Sequence, residues 1–318
     1  MIKTVGVLGA GTMGCAVATA FAAGGYPVRV VEIDTQRRKA IREEIAAQLD
    51  LYVENGLMAI GETTAAMQRL SCYSSYEEGL RDVDFLIENI PELLELKQTT
   101  FLRLDRICKP ETIFASNTSG LKLSEIALHV SPQRRKRMLI TQWMYPAHVV
   151  PIVEVTVYGG VSQEIVEEVE TMYRNIGKRT IRILKEVPGL VVSRIDQVIA
   201  REAFHLVEDG VVSMKDVDAA VQYGVGFRLS AAGPCAVADL SGLDILGTTA
   251  SHVLADTCVD PGLSKILGTL LSEGKSGVKS GEGFYSYFDD NTEHYNKVYL
   301  SKLMQQLKLL NIESKTPI

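Results

Sequence analysis

The chain has 318 residues, of which 46% are hydrophobic and 23% are charged, and its formal net charge is −6 at pH 7. This composition is typical of a globular protein long enough for two domains, and it excludes the disordered and fibrous classes. An acidic chain has no general attraction for nucleic acid, and no run of about eighteen apolar residues is present to cross a membrane. We therefore expect neither nucleic acid nor a membrane among its partners.

The five cysteines are scattered along the chain, at positions 15, 72, 108, 235 and 258. Their spacing matches neither a zinc site nor a disulfide framework, so we expect no bound metal. The chain opens directly on a predicted strand, without a charged segment followed by an apolar one as in a secretory leader. A reducing cytoplasm is the expected location.

Residues 3–14 read KTVGVLGAGTMG, a short apolar run that leads directly into glycines spaced as G-x-G-x-x-G. This pattern predicts a strand, a tight turn and a helix start that bind a dinucleotide. The first glycine permits the turn, the second lets the backbone approach a pyrophosphate, and the third lets the helix pack against the strand. The free N–H groups of the helix start then face the phosphates. The residues assigned to this part of the cofactor are Gly9, Gly11, Thr12, Met13 and Gly14.

Residues 15–24 predict a helix of small side chains, and Val28–Val31 predicts a second strand that finishes at Glu32. An acidic residue at the end of the second strand is where the adenosine ribose presents its hydroxyls. A carboxylate accepts hydrogen bonds from a free 2′-hydroxyl but repels a 2′-phosphate, so Glu32 favours NAD over NADP. Arg37 and Arg38 follow closely, and we expect them to lie in a solvated first turn of the next helix rather than to meet a phosphate.

Further apolar runs at 83–87, 112–115, 138–140, 152–155 and 180–184 predict strands separated by helix-like stretches. Residues 36–70 predict a pair of helices between the second and third of the predicted strands. This alternation is typical of a doubly wound sheet. The basic run at 134–137 is expected to be a solvated loop or helix end, with a clamp for a phosphorylated substrate as the alternative.

Pro188-Gly189 interrupts this alternation, and helical periodicity follows it. We therefore predict an α/β protein: a Rossmann-type doubly wound domain over residues 1–188, followed by a mainly α-helical domain over residues 189–318. A helical domain in this position commonly covers the reactive end of the cofactor and exposes apolar faces that dimerise.

Several motifs, in this order, resemble the 3-hydroxyacyl-CoA dehydrogenase family. They are GAGTMG at 9–14, IEN at 87–89, ASNTS at 115–119, VPG at 187–189 and GKSGVKSGEGFY at 274–285. The resemblance covers nearly the whole chain. The segments PIVEV at 151–155 and GVGFR at 224–228 are most similar to the branch that acts on free hydroxy acids. That branch includes L-gulonate 3-dehydrogenase (lambda-crystallin), carnitine dehydrogenase and the pyridine-aldehyde dehydrogenase of vitamin B6 degradation.

The resemblance implies an NAD-dependent enzyme in which a histidine takes the hydroxyl proton and a glutamate twelve residues later orients that histidine. Glu154 matches the glutamate, but Gln142 stands at the histidine position, and Tyr145 replaces an asparagine of the family pattern. A glutamine amide has no pKa near neutrality and cannot act as a general base. The mechanism of the family therefore does not carry over at this position.

The resemblance also implies that Ser119 contacts the substrate oxygen and that Glu88 lies near the nicotinamide. Ser119 has the alternative of a helix cap, and Glu88 has that of a surface carboxylate at a strand end. Ser193 is a further departure, because the family has asparagine there.

Three groups are candidates to replace the missing base. His148 has an ordinary pKa that suits the task, Glu154 could accept a proton through a water held by Gln142, and Tyr145 could polarise the substrate oxygen as a neutral donor. The candidate catalytic residues are therefore Glu154, Gln142, Ser119, His148 and Tyr145.

Three functions remain open from the sequence. The first is hydride transfer between NAD and a hydroxy acid or related carbonyl, including an aldehyde oxidised as its hydrate. The second is a 3-hydroxyacyl-CoA or acyl-carrier-protein dehydrogenase of fatty acid metabolism. The third is a dinucleotide-binding protein without dehydrogenase activity. For the enzymes we expect a small-molecule substrate, and the resemblance implies a homodimer formed through the helical domain.

Overall fold

The computed structural model describes residues 1–287 and 292–310. Contacts divide these residues into two compact units. The first comprises Met1–Val191 together with the part of the last helix from Val298 onward, and the second comprises Val192–Lys297. The sequence placed all of residues 189–318 in the second domain. The end of the last helix belongs with the first unit because Met304 is fully buried in its core.

The first unit contains an eight-stranded sheet with the order β3-β2-β1-β4-β5-β6-β7-β8. Neighbouring strands run parallel except for β6 and β7, which run antiparallel. The predicted doubly wound sheet is confirmed. The strands are β1 Val5–Leu8, β2 Val28–Val31, β3 Leu70–Tyr73, β4 Phe85–Glu88, β5 Ile113–Ser116, β6 Met138–Trp143, β7 Ile152–Thr156 and β8 Arg179–Ile183.

Helices cover both faces of this sheet. They are α1 Thr12–Ala23, α2 Thr35–Glu54, α3 Ile60–Gln68, α4 Tyr76–Leu80, α5 Leu94–Ile107, α6 Leu123–Ile126, α7 Pro132–Arg135 and α8 Gln163–Asn175. Phe21 of α1 and Tyr173 of α8 pack on one face with Val5 and Val7 of β1, whereas Phe101 of α5 packs on the other face. Strands buried on both faces explain why they read as continuous apolar runs.

Two features of the first unit differ from the sequence analysis. Strand β3 was not predicted, because it is an edge strand whose four residues include only one buried side chain, that of Leu70. The basic run at 134–137 is not simply solvated: the guanidinium of Arg134 is buried, pairs with Asp105 at 3.0 Å and lies 4.1 Å from the ring centre of Phe114.

The second unit is helical, as predicted. Its helices are α9 Val192–Glu208, α10 Met214–Ala220, a π-helix Val221–Val225, α11 Gly226–Ala231, α12 Pro234–Ser241, α13 Leu243–Val253 and α14 Lys265–Ser272, and α15 Thr292–Leu310 begins there. Phe204 and Phe284 stack within it at 4.8 Å between ring centres. Within the described part of the chain, no helix combines the length and apolar character needed to cross a bilayer.

Candidate dinucleotide and catalytic sites

The three glycines after β1 have different steric surroundings. Gly9 has φ +84°, and a Cβ there would lie 2.8 Å from the carbonyl oxygen of Asn89. A Cβ on Gly14 would lie 1.9 Å from the carbonyl oxygen of Gly9, whereas a Cβ on Gly11 would meet no protein atom within 4 Å. Gly9 and Gly14 therefore close the turn, and Gly11 leaves open space at the start of α1, where a phosphate can approach the N–H groups.

This open space belongs to a cavity of about 640 Å³ at the carboxyl ends of β1 and β2. The cavity is lined by the glycine loop, by Thr12 and Met13, and by Glu32. Ile33 and Leu96 add apolar walls, and both are exposed in this structure. In doubly wound sheets a dinucleotide binds outside the carboxyl ends of the strands, where the strand order reverses. The residues present fit the two phosphates and the adenosine of NAD.

Glu32 connects the glycine loop to β2. One carboxylate oxygen accepts a hydrogen bond from the Ala10 N–H at 2.9 Å, and the other accepts from the Asp34 N–H at 2.9 Å. Arg37 pairs with Glu44 and donates to the Ala10 carbonyl, and Arg38 donates to the Glu32 carbonyl at 2.8 Å. The two arginines thus make hydrogen bonds within the protein instead of lying in solvent as expected, and Glu32 lines the cavity at the end of β2.

Glu88, at the end of β4, is fully buried. Its oxygens accept hydrogen bonds from Lys97 Nζ at 2.6 Å, Ser116 Oγ at 2.6 Å and the Ile90 N–H at 2.7 Å. Burial raises the pKa of Glu88, and the charge of Lys97 opposes that rise. Both carboxylate oxygens are occupied by the protein, so the geometry suits a support beneath the cofactor site.

The sequence analysis missed Glu92, whose side chain is 41% exposed beside Ser119. Its carboxylate accepts hydrogen bonds from the Gly120 N–H at 3.1 Å and from Thr118, and it lies 3.2 Å from Lys97 Nζ. Partial burial works to raise the pKa of Glu92, but the Thr118 hydroxyl and the Lys97 charge outweigh it and hold that pKa below its ordinary value. Lys97 lies on the buried side of α5, but lysine is usually exposed, so no sequence pattern predicts this contact with Glu92.

Two asparagines connect the cofactor cavity to β6. The Asn117 amide donates to Asn89 Oδ1 at 2.8 Å, and Asn117 Oδ1 accepts from the Trp143 N–H at 2.9 Å. Asn89 lines the 640 Å³ cavity. Trp143, the residue next to Gln142, is therefore linked by hydrogen bonds to a residue that lines the cavity.

Gln142 and Glu154 lie directly opposite each other in the β6–β7 pairing, and both are almost completely buried. Glu154 Oε1 accepts a hydrogen bond from the Val191 N–H at 2.8 Å. The carbonyl oxygen of Ser119, whose side chain is exposed, accepts one from the Gly189 N–H at 2.8 Å. The segment 189–191 thus contacts both Glu154 and Ser119, and Gln142 is related to it only through its pairing with Glu154; Leu190 in this segment has a φ of +47°.

Tyr145 and His148 lie in the connection between β6 and β7. Tyr145 is exposed, whereas His148 is buried with its ring 5.9 Å from that of Tyr52. Neither ring nitrogen of His148 has a hydrogen-bond partner among the described residues. Burial, with a contribution from Lys178, lowers the pKa of His148 to about 4. It lines a separate cavity of about 340 Å³, whose lining includes neither Gln142 nor Glu154.

Among residues 1–287 and 292–310, no group of three or more histidine, cysteine or acidic side chains is arranged to hold a metal ion.

Residues 4–187 match the NAD binding domain of 3-hydroxyacyl-CoA dehydrogenase, and residues 189–287 match the C-terminal domain of the same family. The 5-formyl-3-hydroxy-2-methylpyridine 4-carboxylate 5-dehydrogenase of Mesorhizobium japonicum is 29% identical over 98% of this chain and 99% of its own length. An L-carnitine dehydrogenase of a Pseudomonas species is 34% identical over 76% of this chain and 74% of its own length. A probable 3-hydroxybutyryl-CoA dehydrogenase of Bacillus subtilis is 32% identical over 90% of this chain and 98% of its own length.

Among solved structures, the 5-formyl-3-hydroxy-2-methylpyridine 4-carboxylic acid 5-dehydrogenase, described as an NAD+ dependent dismutase, superposes with a TM-score of 0.89. It is 28% identical and matches 99% of this chain and 100% of its own. The match to an NAD binding domain and the solved structure described as NAD+ dependent agree on the cofactor, NAD. The chain belongs to the 3-hydroxyacyl-CoA dehydrogenase family and is an NAD-dependent oxidoreductase.

Proposed function

We propose that this protein transfers hydride between NAD and a hydroxy acid or a related carbonyl, including an aldehyde in its hydrated form, without a histidine base. The observation that carries the proposal is the Gln142–Glu154 pair. The residue opposite Glu154 is one that donates and accepts hydrogen bonds but takes no proton. Full-length similarity to an enzyme named for a formyl substrate supports the aldehyde within this class.

The cofactor is held by the glycine loop, by Thr12 and Met13 at the start of α1, and by Glu32 at the ribose. When bound, NAD supplies the hydride acceptor. Glu88 supports the site from beneath, and Glu92, whose side chain is 41% exposed, is the acidic group of this network that reaches solvent.

The catalytic residues act on the substrate oxygen. In this proposal the Gln142 amide donates a hydrogen bond to that oxygen, and the Ser119 hydroxyl and the Tyr145 phenol are further donors, which their exposure to solvent supports. As the C–H bond of an aldehyde hydrate breaks and its electron pair leaves as hydride, one hydroxyl proton must leave as well. Glu154 accepts this proton through a water at Gln142, and the product is a carboxylic acid. The other candidate, His148, has a pKa lowered to about 4 and lines a separate cavity, and both features argue against it as the acceptor.

The test is a survey of nicotinamide reduction with aldehydes, free hydroxy acids and 3-hydroxyacyl-CoA thioesters of matched acyl groups. We expect turnover with a free acid or an aldehyde, and no advantage for the thioester. A higher kcat/KM for the thioester would instead support the acyl-CoA or acyl-carrier-protein function. Tight binding of NAD without turnover in any class would support a dinucleotide-binding protein without dehydrogenase activity.

The proposal includes a cytoplasmic homodimer. Large apolar side chains of the helical unit are exposed, among them Phe227, Leu240, Leu243 and Leu254. Exposed apolar side chains of this kind are typical of a helical unit that associates with a second copy. Light scattering should give twice the mass of the chain, and Leu243→Asp should reduce it to one copy; a wild-type monomer at micromolar concentration contradicts this part of the proposal.

A further inference from the structure

Lys178 lies between α8 and β8, outside the cofactor cavity, and it is 5% exposed. Its Nζ donates to the carbonyl oxygens of Ala147 at 2.8 Å, Val150 at 2.7 Å and His148 at 3.2 Å. No carboxylate in the described part of the chain lies within ion-pair distance of it. The hydrogen-bond partners of the buried ammonium are therefore backbone carbonyls, and no carboxylate of the described residues balances its charge.

The three carbonyls belong to a single turn. The N–H groups of Val149 and Val150 both donate to the Pro146 carbonyl at 3.0 Å, which closes the turn. An ammonium has three protons, and each of them has one carbonyl of this turn as its partner. Burying a charge without a counter-charge is costly. We therefore expect the ammonium of this lysine to have a function that a neutral side chain could not perform.

The turn joins the two halves of the catalytic segment. Gln142 and Tyr145 come before it along the chain, and Glu154 follows it on β7. We propose that Lys178 is a positioning residue, whose charged ammonium holds the turn at 146–150 and thereby sets the placement of Tyr145 and of the Gln142–Glu154 pair. The catalytic consequence rests on the proposed dehydrogenase function, but the contact between the ammonium and the turn does not.

Trp143 provides a direct readout of this contact. It is the single tryptophan of the chain, and the Lys178 Nζ lies 5.2 Å from the centre of its ring. Burial lowers the pKa of Lys178 to about 7, so its charge changes near neutral pH. The titratable and charged groups around it line the adjoining cavity: Tyr52 from α2, His148 from the turn, Glu62 from α3, and Arg69 directly after α3.

The first experiment is a titration of tryptophan fluorescence across neutral pH in the full chain. We expect a transition with a midpoint of about 7 in the wild type. Lys178→Met and Lys178→Arg should abolish it, and Lys185→Met, which changes an exposed lysine beyond β8, should retain it. The same transition in Lys178→Met would overturn the proposal. If the methionine variant does not fold, Lys178→Gln takes its place.

The second experiment separates positioning from general stabilisation. Lys178→Met should lower kcat about tenfold, which corresponds to about 1.4 kcal/mol of activation free energy. The Kd for NAD should change by less than about twofold. Lys178→Arg should recover most of kcat and extend activity to higher pH. Unchanged kcat in Lys178→Met, or equal losses of kcat and NAD affinity, would overturn the proposal.

The pH dependence provides a further separation. The folded-state pKa of Lys178 is lowered, so between about pH 7 and the ordinary lysine value of about 10.4 the unfolded chain binds more protons than the folded one. The contribution of this group to stability therefore increases with pH in that window, while kcat decreases as the ammonium is lost. Thermal stability and kcat that decrease together would indicate a merely structural lysine. If the wild type shows no turnover at all, the dehydrogenase proposal fails, and the fluorescence titration still decides the role of Lys178.

Discussion

Gln142 and Glu154 face each other directly across the antiparallel pairing of β6 and β7, two buried side chains on adjacent strands. A glutamate in this position can orient and charge a histidine opposite it, and in this chain it faces an amide. Under the proposed function the acid–base residues therefore differ from the family pattern, while the glycine loop and Glu32 line the cavity proposed for the dinucleotide.

Replacing Gln142 by histidine tests whether the rest of the site is intact. Because Glu154 is already opposite, Gln142→His should raise turnover of free hydroxy acids and add an acidic limb to the pH profile near the ordinary histidine pKa of about 6.5. Steady-state kinetics across pH measures both effects. Gln142→Leu is the control, since it removes the amide and adds no base. Equal activity of the histidine and leucine variants would indicate a pocket reshaped for another ligand.

Glu154 has a second task, because its carboxylate accepts the Val191 N–H at 2.8 Å. Glu154→Gln keeps an acceptor there and should fold with nearly wild-type stability while losing the proton acceptor and most of kcat. Glu154→Ala removes the acceptor as well and should lower the free energy of unfolding by about 1–3 kcal/mol. Urea unfolding and kcat, measured on both variants, separate the two tasks; full activity in Glu154→Gln contradicts the proton-acceptor role.

Gly11 and Gly14 give a matched pair of alanine substitutions. A Cβ on Gly11 meets no protein atom, so Gly11→Ala should change the free energy of unfolding by no more than about 0.5 kcal/mol but weaken NAD binding by blocking the pyrophosphate. A Cβ on Gly14 lies 1.9 Å from the Gly9 carbonyl, so Gly14→Ala should destabilise the fold itself. Thermal unfolding and calorimetric titration with NAD distinguish these outcomes. Unimpaired NAD binding in Gly11→Ala contradicts the assignment of the open space to the phosphates.

Glu32 is expected to set both affinity and cofactor choice. Glu32→Ala loses the ribose acceptor and frees the N–H groups of Ala10 and Asp34, so the Kd for NAD should rise at least about tenfold, or about 1.4 kcal/mol. The discrimination against NADP should fall because the carboxylate no longer repels a 2′-phosphate. Calorimetry with both cofactors measures this, with Glu43→Ala on the exposed side of α2 as the control. Equal changes in the Kd for NAD in the two variants would show that Glu32 does not bind the cofactor.

The parts of the fold that were predictable from sequence have local signals. The glycine loop, the small-residue helix after it and Glu32 lie within a single β-α-β unit, and strands buried on both faces produce apolar runs that are visible without tertiary information. Strand β3 lacks such a run because it lies at the sheet edge. Backbone hydrogen bonds to β2 hold it in the sheet, and they leave no mark in the sequence. The packing of the end of α15 on the first unit was not predicted, because helical periodicity identifies a helix but not the unit on which its apolar side packs.

The residues that the sequence analysis missed are charged groups with distant partners. Lys97 on α5 pairs with Glu88 and Glu92. Arg134 pairs with Asp105 and lies over the Phe114 ring. Lys178 donates to backbone carbonyls. Lysine and arginine are usually exposed, so no pattern of apolar residues predicts their burial. Such a group is recognised only when the long-range contacts that solvate it are known.

His148 should make the protein sensitive to acid. Its buried ring has a pKa lowered to about 4 in the folded chain, against about 6.5 when unfolded. Between those two values the unfolded chain binds the extra proton, so stability is lost as pH falls from about 6.5 towards about 4, by roughly 3 kcal/mol in total.

His148→Phe should remove that part of the pH dependence, because a phenyl ring takes no proton and can retain the ring contact with Tyr52. Urea unfolding at several pH values measures it, with His129→Gln as the control, since His129 is exposed. Near neutral pH His148→Phe should also leave kcat within about twofold of the wild type, a difference below 1 kcal/mol. A large loss of kcat with unchanged stability would make His148 the proton acceptor and would remove Glu154 from that role.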